Sequence, residues 1–166
     1  MKKLIMVGGP MGAGKTTLSN ILYKKLPNSV MLDGDWCWKI NPFTVNDENK
    51  NMVMKNIQFM LNSFIDNSQI EYIVFCWVMD EQSIIDDITS GLNLDNVEIT
   101  PVSLLPSIKK LTSNIQTDIT ADKRKSEDLQ RSIARLIKFQ KLSTIKYDSS
   151  DKPLEEIADE IIEQTK

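Results

Sequence analysis

The ten residues GGPMGAGKTT, Gly8–Thr17, restrict what this chain can fold into more than any other stretch. Four of the chain's six glycines fall within seven positions, directly before a lysine and two threonines. The preceding KKLIMV is a short apolar run ended by glycine, which predicts a buried strand. Behind the motif, Leu18, Ile21, Leu22 and Leu26 recur at helical spacing. The glycines therefore bridge a strand and a helix. The spacing Gly9, four residues, Gly14, Lys15, Thr16 matches the phosphate-binding pattern G-x-x-x-x-G-K-[ST]. Positions without side chains let the loop fold tightly, so that successive N–H groups converge on one anion. The helix N-terminus adds its unpaired N–H groups and its dipole. Gly9, Pro10, Met11, Gly12, Ala13, Gly14, Lys15, Thr16 and Thr17 form the expected cradle for ATP. Lys15 is expected to reach the β- and γ-phosphates and the Thr16 hydroxyl to ligate Mg²⁺.

Further strand signals follow at Ser29–Asp35, Glu71–Met79, Asn96–Leu105 and Ser143–Asp148. Between them, Met52, Ile57, Met60, Leu61 and Phe64 repeat at helical spacing. DEQSIIDDITSGL and PLEEIADEIIEQ read as two further helices, ended by Gly91 and opened by Pro153. Alternating strands and helices predict a parallel sheet covered on both faces. Ligands of such sheets sit beyond the C-terminal ends of the strands.

The chain's 166 residues suit one domain, residues 1–166. No apolar run approaches the roughly 20 residues that span a bilayer. The N-terminal apolar run is too short for a signal peptide and leads into the phosphate motif, so a cytoplasmic location is expected. There is no histidine, which turns the search for a proton acceptor to aspartate and glutamate. Cys37 and Cys76 have no metal-ligand spacing and are expected to be reduced thiols. A net charge of −3 does not suggest a nucleic-acid partner. A small-molecule substrate and a monomer or homodimer are expected.

The second strand ends in LDGDWCW, Leu32–Trp38. Asp33 and Asp35 lie where such a strand approaches the phosphate loop. One carboxylate can accept a proton from a substrate hydroxyl, and the other can bind substrate or water around Mg²⁺. Trp36 and Trp38 are candidates to stack on a ring-shaped substrate. Asn41, Asn46, Gln58 and Gln82 are candidate hydrogen-bond partners for it. All three arginines fall within twelve residues: Arg124, Arg131 and Arg135. On a continuous helix they share one face, with Leu129, Ile133 and Leu136 opposite. Planar guanidinium groups bridge phosphate oxygens well, so Arg124 and Arg131 are the leading phosphate contacts and Arg135 the weaker one.

GPMGAGK resembles shikimate kinase, and LDGD resembles adenylylsulfate kinase and gluconate kinase. The chain is similar to small P-loop kinases and to the nucleotide-kinase-like ATPases of this group. That resemblance implies a three-layer α/β P-loop fold, a five-stranded parallel sheet flanked by helices, and a helical lid at about 112–130. It also implies a substrate-binding helical segment at 36–67. In these kinases the carboxylate after the second strand binds or activates the acceptor hydroxyl; it falls on Asp35, with Asp33 second. Lid arginines neutralise the transferred phosphoryl group. The loop after the fifth strand lines the adenine pocket, here Ser149–Lys152. Shikimate kinases carry arginines in the substrate region and glycines after the third strand. This chain has no arginine before residue 124 and reads CWVMDEQ there, so shikimate is not expected.

The leading expectation is therefore an ATP-dependent phosphotransferase with Lys15, Asp35, Arg124 and Arg131 as its catalytic set. Its acceptor would be a hydroxyl or phosphate of a small metabolite, held by Asp33, Asp35, Trp36 and Trp38. The alternative is a P-loop ATPase acting as a hydrolytic switch, with Asp80 and Glu81 as its Mg²⁺ aspartate and water-activating glutamate, or a nucleotide-binding regulator.

Overall fold

The computed structural model describes residues 1–121 and 125–166. Five strands form one parallel sheet: β1 (Lys2–Gly8), β2 (Ser29–Asp33), β3 (Tyr72–Cys76), β4 (Val97–Leu105) and β5 (Ile145–Asp148). Their spatial order is β2-β3-β1-β4-β5, so the strand that carries the glycine loop lies at the centre. Leu4, Ile5, Met6 and Val7 are fully buried because helices cover both faces.

The period-two alternation of the strands divides the core in two. Leu4, Met6, Leu32, Ile73 and Phe75 face one side and meet Val53, Ile57 and Leu61 of α2 (Asp47–Asp66), Ile85 and Ile88 of α3 (Gln82–Ser90), and Phe139 of α5 (Glu127–Gln140). Ile5, Val7, Val74, Cys76, Val102 and Leu104 face the other. They pack on Leu18 and Leu22 of α1 (Lys15–Lys25) and on Ile157 and Ile161 of α6 (Leu154–Gln164). This is the three-layer α/β P-loop fold that the sequence implies.

Two elements depart from the sequence expectation. The buried stripe of α2 is Val53, Ile57, Leu61 and Ile65 rather than one through Met52, which is 37% exposed. The Asn46 side chain caps this helix, accepting from the Asn49 N–H at 2.8 Å. The segment after β4 forms a helix that periodicity did not announce, α4 (Ile108–Thr120). It is capped by Ser107 and buries Leu111 and Ile115. Among the described residues no helix is long and apolar enough to cross a membrane.

Candidate nucleotide and acceptor site

The loop between β1 and α1 folds on three glycines at positive φ: Gly9 at 149°, Gly12 at 77° and Gly14 at 98°. L side chains rarely adopt these conformations. The loop's carbonyls are engaged by its own lysine and by side chains of two distant helices. Pro10 O accepts from Lys15 Nζ at 3.0 Å, Met11 O from Ser132 Oγ at 2.6 Å, and Gly12 O from Asn114 Nδ2 at 2.9 Å. α4 and α5 thus both grip the loop. The first-turn N–H groups of α1 have no intrahelical acceptor. Gly12 to Thr17 border a cleft of ≈ 590 Å³.

The far wall of that cleft is the loop after β5. Ser149, Ser150, Asp151 and Lys152 line it, and Lys110 and Asn114 of α4 close its side. The Asp148 carboxylate accepts from both the N–H and the hydroxyl of Ser150, which holds it below the usual carboxylate range. The cleft therefore has a loop rich in N–H groups at one end, Lys110 along its side, and a tightly turned loop carrying Lys152 at the other end.

Asp33 is 8% exposed and joins β2 to the phosphate loop. Its Oδ2 accepts from Thr16 Oγ1 at 3.0 Å, and its Oδ1 accepts from the Asp35 N–H at 3.0 Å. The second bond starts a 3₁₀ turn, Gly34–Trp38, and sets Asp35 at the mouth of a second cavity. Gly34 is required by packing: a Cβ there would lie 2.6 Å from Trp77 Cγ. The second cavity, ≈ 1070 Å³, shares Lys15 and Thr16 with the first. Asp33, Asp35, Trp38 and Arg135 also line it.

Not every candidate reaches this place. Trp36 is 53% exposed and lies outside both cavities, whereas Trp38 lines the second. Asn46 is spent on capping, and Gln82 bonds Asp86 and the Ser143 N–H. Gln58 does border the second cavity. Arg131 and Arg135 both lie on α5, four residues apart, and α4 ends before them at Thr120. Arg124 lies outside the described residues. Arg131, placed first with Arg124 by the sequence, is turned away from the site. It is 63% exposed and pairs with Glu127 at 3.3 Å. Arg135 is the arginine that faces the second cavity. The inner face of α5 carries the buried Ser132 and Phe139, with Arg135 between them, and Leu129, Ile133 and Leu136 are only half-buried.

Arg135 Nε lies 3.1 Å from Asp80 Oδ2, and Lys138 Nζ lies 3.7 Å from the same oxygen and 2.8 Å from Glu81 Oε1. Hydrogen bonding from Lys138 holds the Glu81 carboxyl below its ordinary range. These four residues clasp α5 to the segment between β3 and α3. Arg135→Ala is expected to destabilise the fold by about 1–3 kcal/mol, because it strips the nearly buried Asp80 of its nearest partner. Arg131→Ala should change stability by less than about 0.5 kcal/mol, as exposed ion pairs do. Urea denaturation of the two variants checks the contrast.

Burial and the nearby Asp33 carboxylate push the Cys76 thiol up to about 12, and the same causes raise Cys37 by less. At pH 8 Cys76 is thus overwhelmingly a thiol, and thiolate is the reactive form. Alkylation of the native protein is expected to modify only Cys37, slowly, and Cys76 only after denaturation. Mass spectrometry of the labelled peptides reads this out.

The AAA domain family model matches residues 5–134, most of the chain. No curated protein matches the sequence. Among solved structures, the tunicamycin resistance protein of Deinococcus radiodurans superposes with a TM-score of 0.70 at 16% identity, over 99% of this chain and 95% of that one. A gluconokinase from Sinorhizobium meliloti 1021 gives 0.66 at 17% identity, over 99% and 98% of the two chains. Shikimate kinase from Acinetobacter baumannii gives 0.64 at 16% identity, over 99% and 92%. A match of this extent to the family model, together with the strand order and the glycine loop, shows that the chain belongs to the AAA domain family and has the fold of small P-loop kinases.

Proposed function

We propose that this protein transfers the γ-phosphate of ATP to a hydroxyl of a small molecule. The observation that carries the reading is the meeting of two cavities at Lys15 and Thr16. A transferase needs two substrates on opposite sides of one phosphoryl group, while a hydrolase needs only one and water. The cleft beside Gly12–Thr17 suits the nucleotide, and the cavity over Asp35 suits the acceptor.

The roles follow from position. Lys15 neutralises charge on the β- and γ-phosphates, and the loop N–H groups hold them. Asp35 orients the acceptor hydroxyl and takes its proton as the oxygen attacks the γ-phosphorus. The new O–P bond forms as the β–γ bridging P–O bond breaks, and ADP leaves with the electron pair. Residues 36–67 and the wall of α3 hold the acceptor. Arg135, in the clasp that ties α5 to the segment after β3, borders the second cavity and helps to shield the transfer from water.

Thr16 and Asp33 fit a Mg²⁺ ion that arrives with the nucleotide. Their oxygens sit 3.0 Å apart beside the phosphate loop, and among the described residues no group of three or more Asp, Glu, His or Cys could hold a metal by itself. Two hard oxygen donors, completed by phosphate and water, are the usual setting of Mg²⁺. When bound, the ion would offset phosphate charge. The hydrolytic alternative rests on Glu81, and the Lys138 bond to its carboxylate supports a structural role instead.

ADP release in the presence of Mg²⁺, measured with and without a panel of hydroxylated acceptors, tests the reading. An acceptor is expected to raise the rate at least about ten-fold, and Lys15→Ala to abolish the rise. Acceptor-independent release that survives Asp35→Asn and is lost in Glu81→Gln would establish hydrolysis instead.

A further inference from the structure

The second cavity carries information about its occupant that the phosphotransfer reading does not use. Its walls include Trp38, Phe43, Val45, Met54, Trp77 and Ile84. Trp38 and Phe43 stand with ring centroids 5.8 Å apart at an interplanar angle of 51°. Phe43 and Val45 are 67% and 56% exposed, although both border a cavity. Aromatic rings left accessible beside a cavity give a flat partner something to stack on.

The charges point the same way. Among the described residues, four carboxylates border the cavity, those of Asp33, Asp35, Asp80 and Asp87, against three cations. Each cation already has a partner. Arg135 is on Asp80 at 3.1 Å, Lys50 is on Asp47 at 3.5 Å, and Lys15 is at the phosphate loop on Pro10 O. A bound carboxylate or phosphate ester would need a guanidinium or ammonium of its own. With Arg135 and Asp80 offsetting each other, Asp33, Asp35 and Asp87 still outnumber Lys15 and Lys50, and such repulsion selects against anions.

We infer that the acceptor is a flat-ringed alcohol bearing no anionic group, with its ring against Trp38 and Phe43 and its hydroxyl at Asp35. This rests on the phosphotransfer reading for the role of the cavity, but not for its chemistry. Nucleosides are the test class, because each has a 5′-monophosphate that differs only by the charge in question.

Calorimetric titrations are made with the nucleotide cleft saturated by Mg²⁺–ADP. The probes are adenosine, guanosine, cytidine and uridine, their 5′-monophosphates, gluconate and shikimate. At least one nucleoside is expected to bind with a Kd about ten-fold or more below that of its monophosphate and of both acids; ten-fold corresponds to about 1.4 kcal/mol. Trp38→Ala should weaken nucleoside binding about five-fold or more. The exposed Asp87→Lys should narrow the gap between nucleoside and monophosphate about three-fold, a readout that does not depend on how Trp38→Ala folds. Equal or tighter binding of a monophosphate, gluconate or shikimate overturns the inference, and so does the absence of binding by all four nucleosides. A nucleoside that binds selectively in both wild type and Lys15→Ala, but is not phosphorylated, leaves the inference standing and rejects the transferase reading. Transfer to an anionic acceptor does the reverse.

Discussion

Asp35→Asn is expected to lower acceptor-dependent turnover by roughly 10²–10⁴-fold, the usual contribution of a positioned proton acceptor. The KM for ATP should stay within about two-fold, because Asp35 lines the second cavity and not the first. The local geometry sharpens this expectation. Asp33 is the residue that holds Thr16 and the Asp35 N–H, so Asp33→Asn disturbs both halves of the site. It should raise the KM for ATP as well as lower kcat. Asp35 receives its position from Asp33 through the backbone, which Asp35→Asn leaves intact. Steady-state kinetics of the two variants separate the roles: a fall in kcat alone for Asp35, and a fall in kcat with a rise in the KM for ATP for Asp33.

Gly9→Ala should cost about 2–5 kcal/mol of stability. Roughly 1–2 kcal/mol comes from a non-glycine residue at strongly positive φ, and about 1–3 kcal/mol from overpacking. The new Cβ would lie 2.8 Å from the Leu104 carbonyl oxygen, a backbone atom of the neighbouring strand that has no rotamer to change. Gly9 sits at φ 149° directly after β1, so the obstruction falls where the loop leaves the sheet. For a chain of this size each kcal/mol lowers Tm by about 2–4 °C, which gives a fall of roughly 5–20 °C. Nucleotide binding should be lost with it. Gly12→Ala meets Ile115 Cγ1 at 2.6 Å, but that atom belongs to a side chain that can turn, so a smaller loss is expected. Differential scanning calorimetry ranks the two variants.

The loop, β1 and α1 were legible in the sequence because their signals are contiguous: an apolar run, glycines at fixed offsets, and a helical stripe within twenty-five residues. The five strands were legible for the same reason, within one to three residues at most ends. The contacts that hold the loop were not. Asn114 and Ser132 reach its carbonyls across 102 and 121 positions, and nothing local marks either residue. Arg131 and Arg135 stand four apart on α5, so helical spacing alone does not tell them apart. What separates them is the partner each meets: Arg135 reaches the nearly buried Asp80 beside the cavity, and Arg131 pairs with Glu127 and Asp128 of its own helix. The tryptophans separated for a different reason. In a 3₁₀ turn successive side chains step by about 120°, so two residues apart they diverge, and Trp36 faces out while Trp38 faces in. The size of the acceptor cavity was not legible because it is made by α2, α3 and α5 together.

The central claim is that a phosphoryl group passes between the two cavities that meet at Lys15. Phosphorus-31 NMR of ATP, Mg²⁺ and an acceptor that binds the second cavity follows that group directly. The account predicts that the γ-phosphate signal is replaced by that of a phosphomonoester on the acceptor, at a rate that Lys15→Ala and Asp35→Asn both abolish. Growth of inorganic phosphate alone, at the same rate with or without the acceptor, would contradict it.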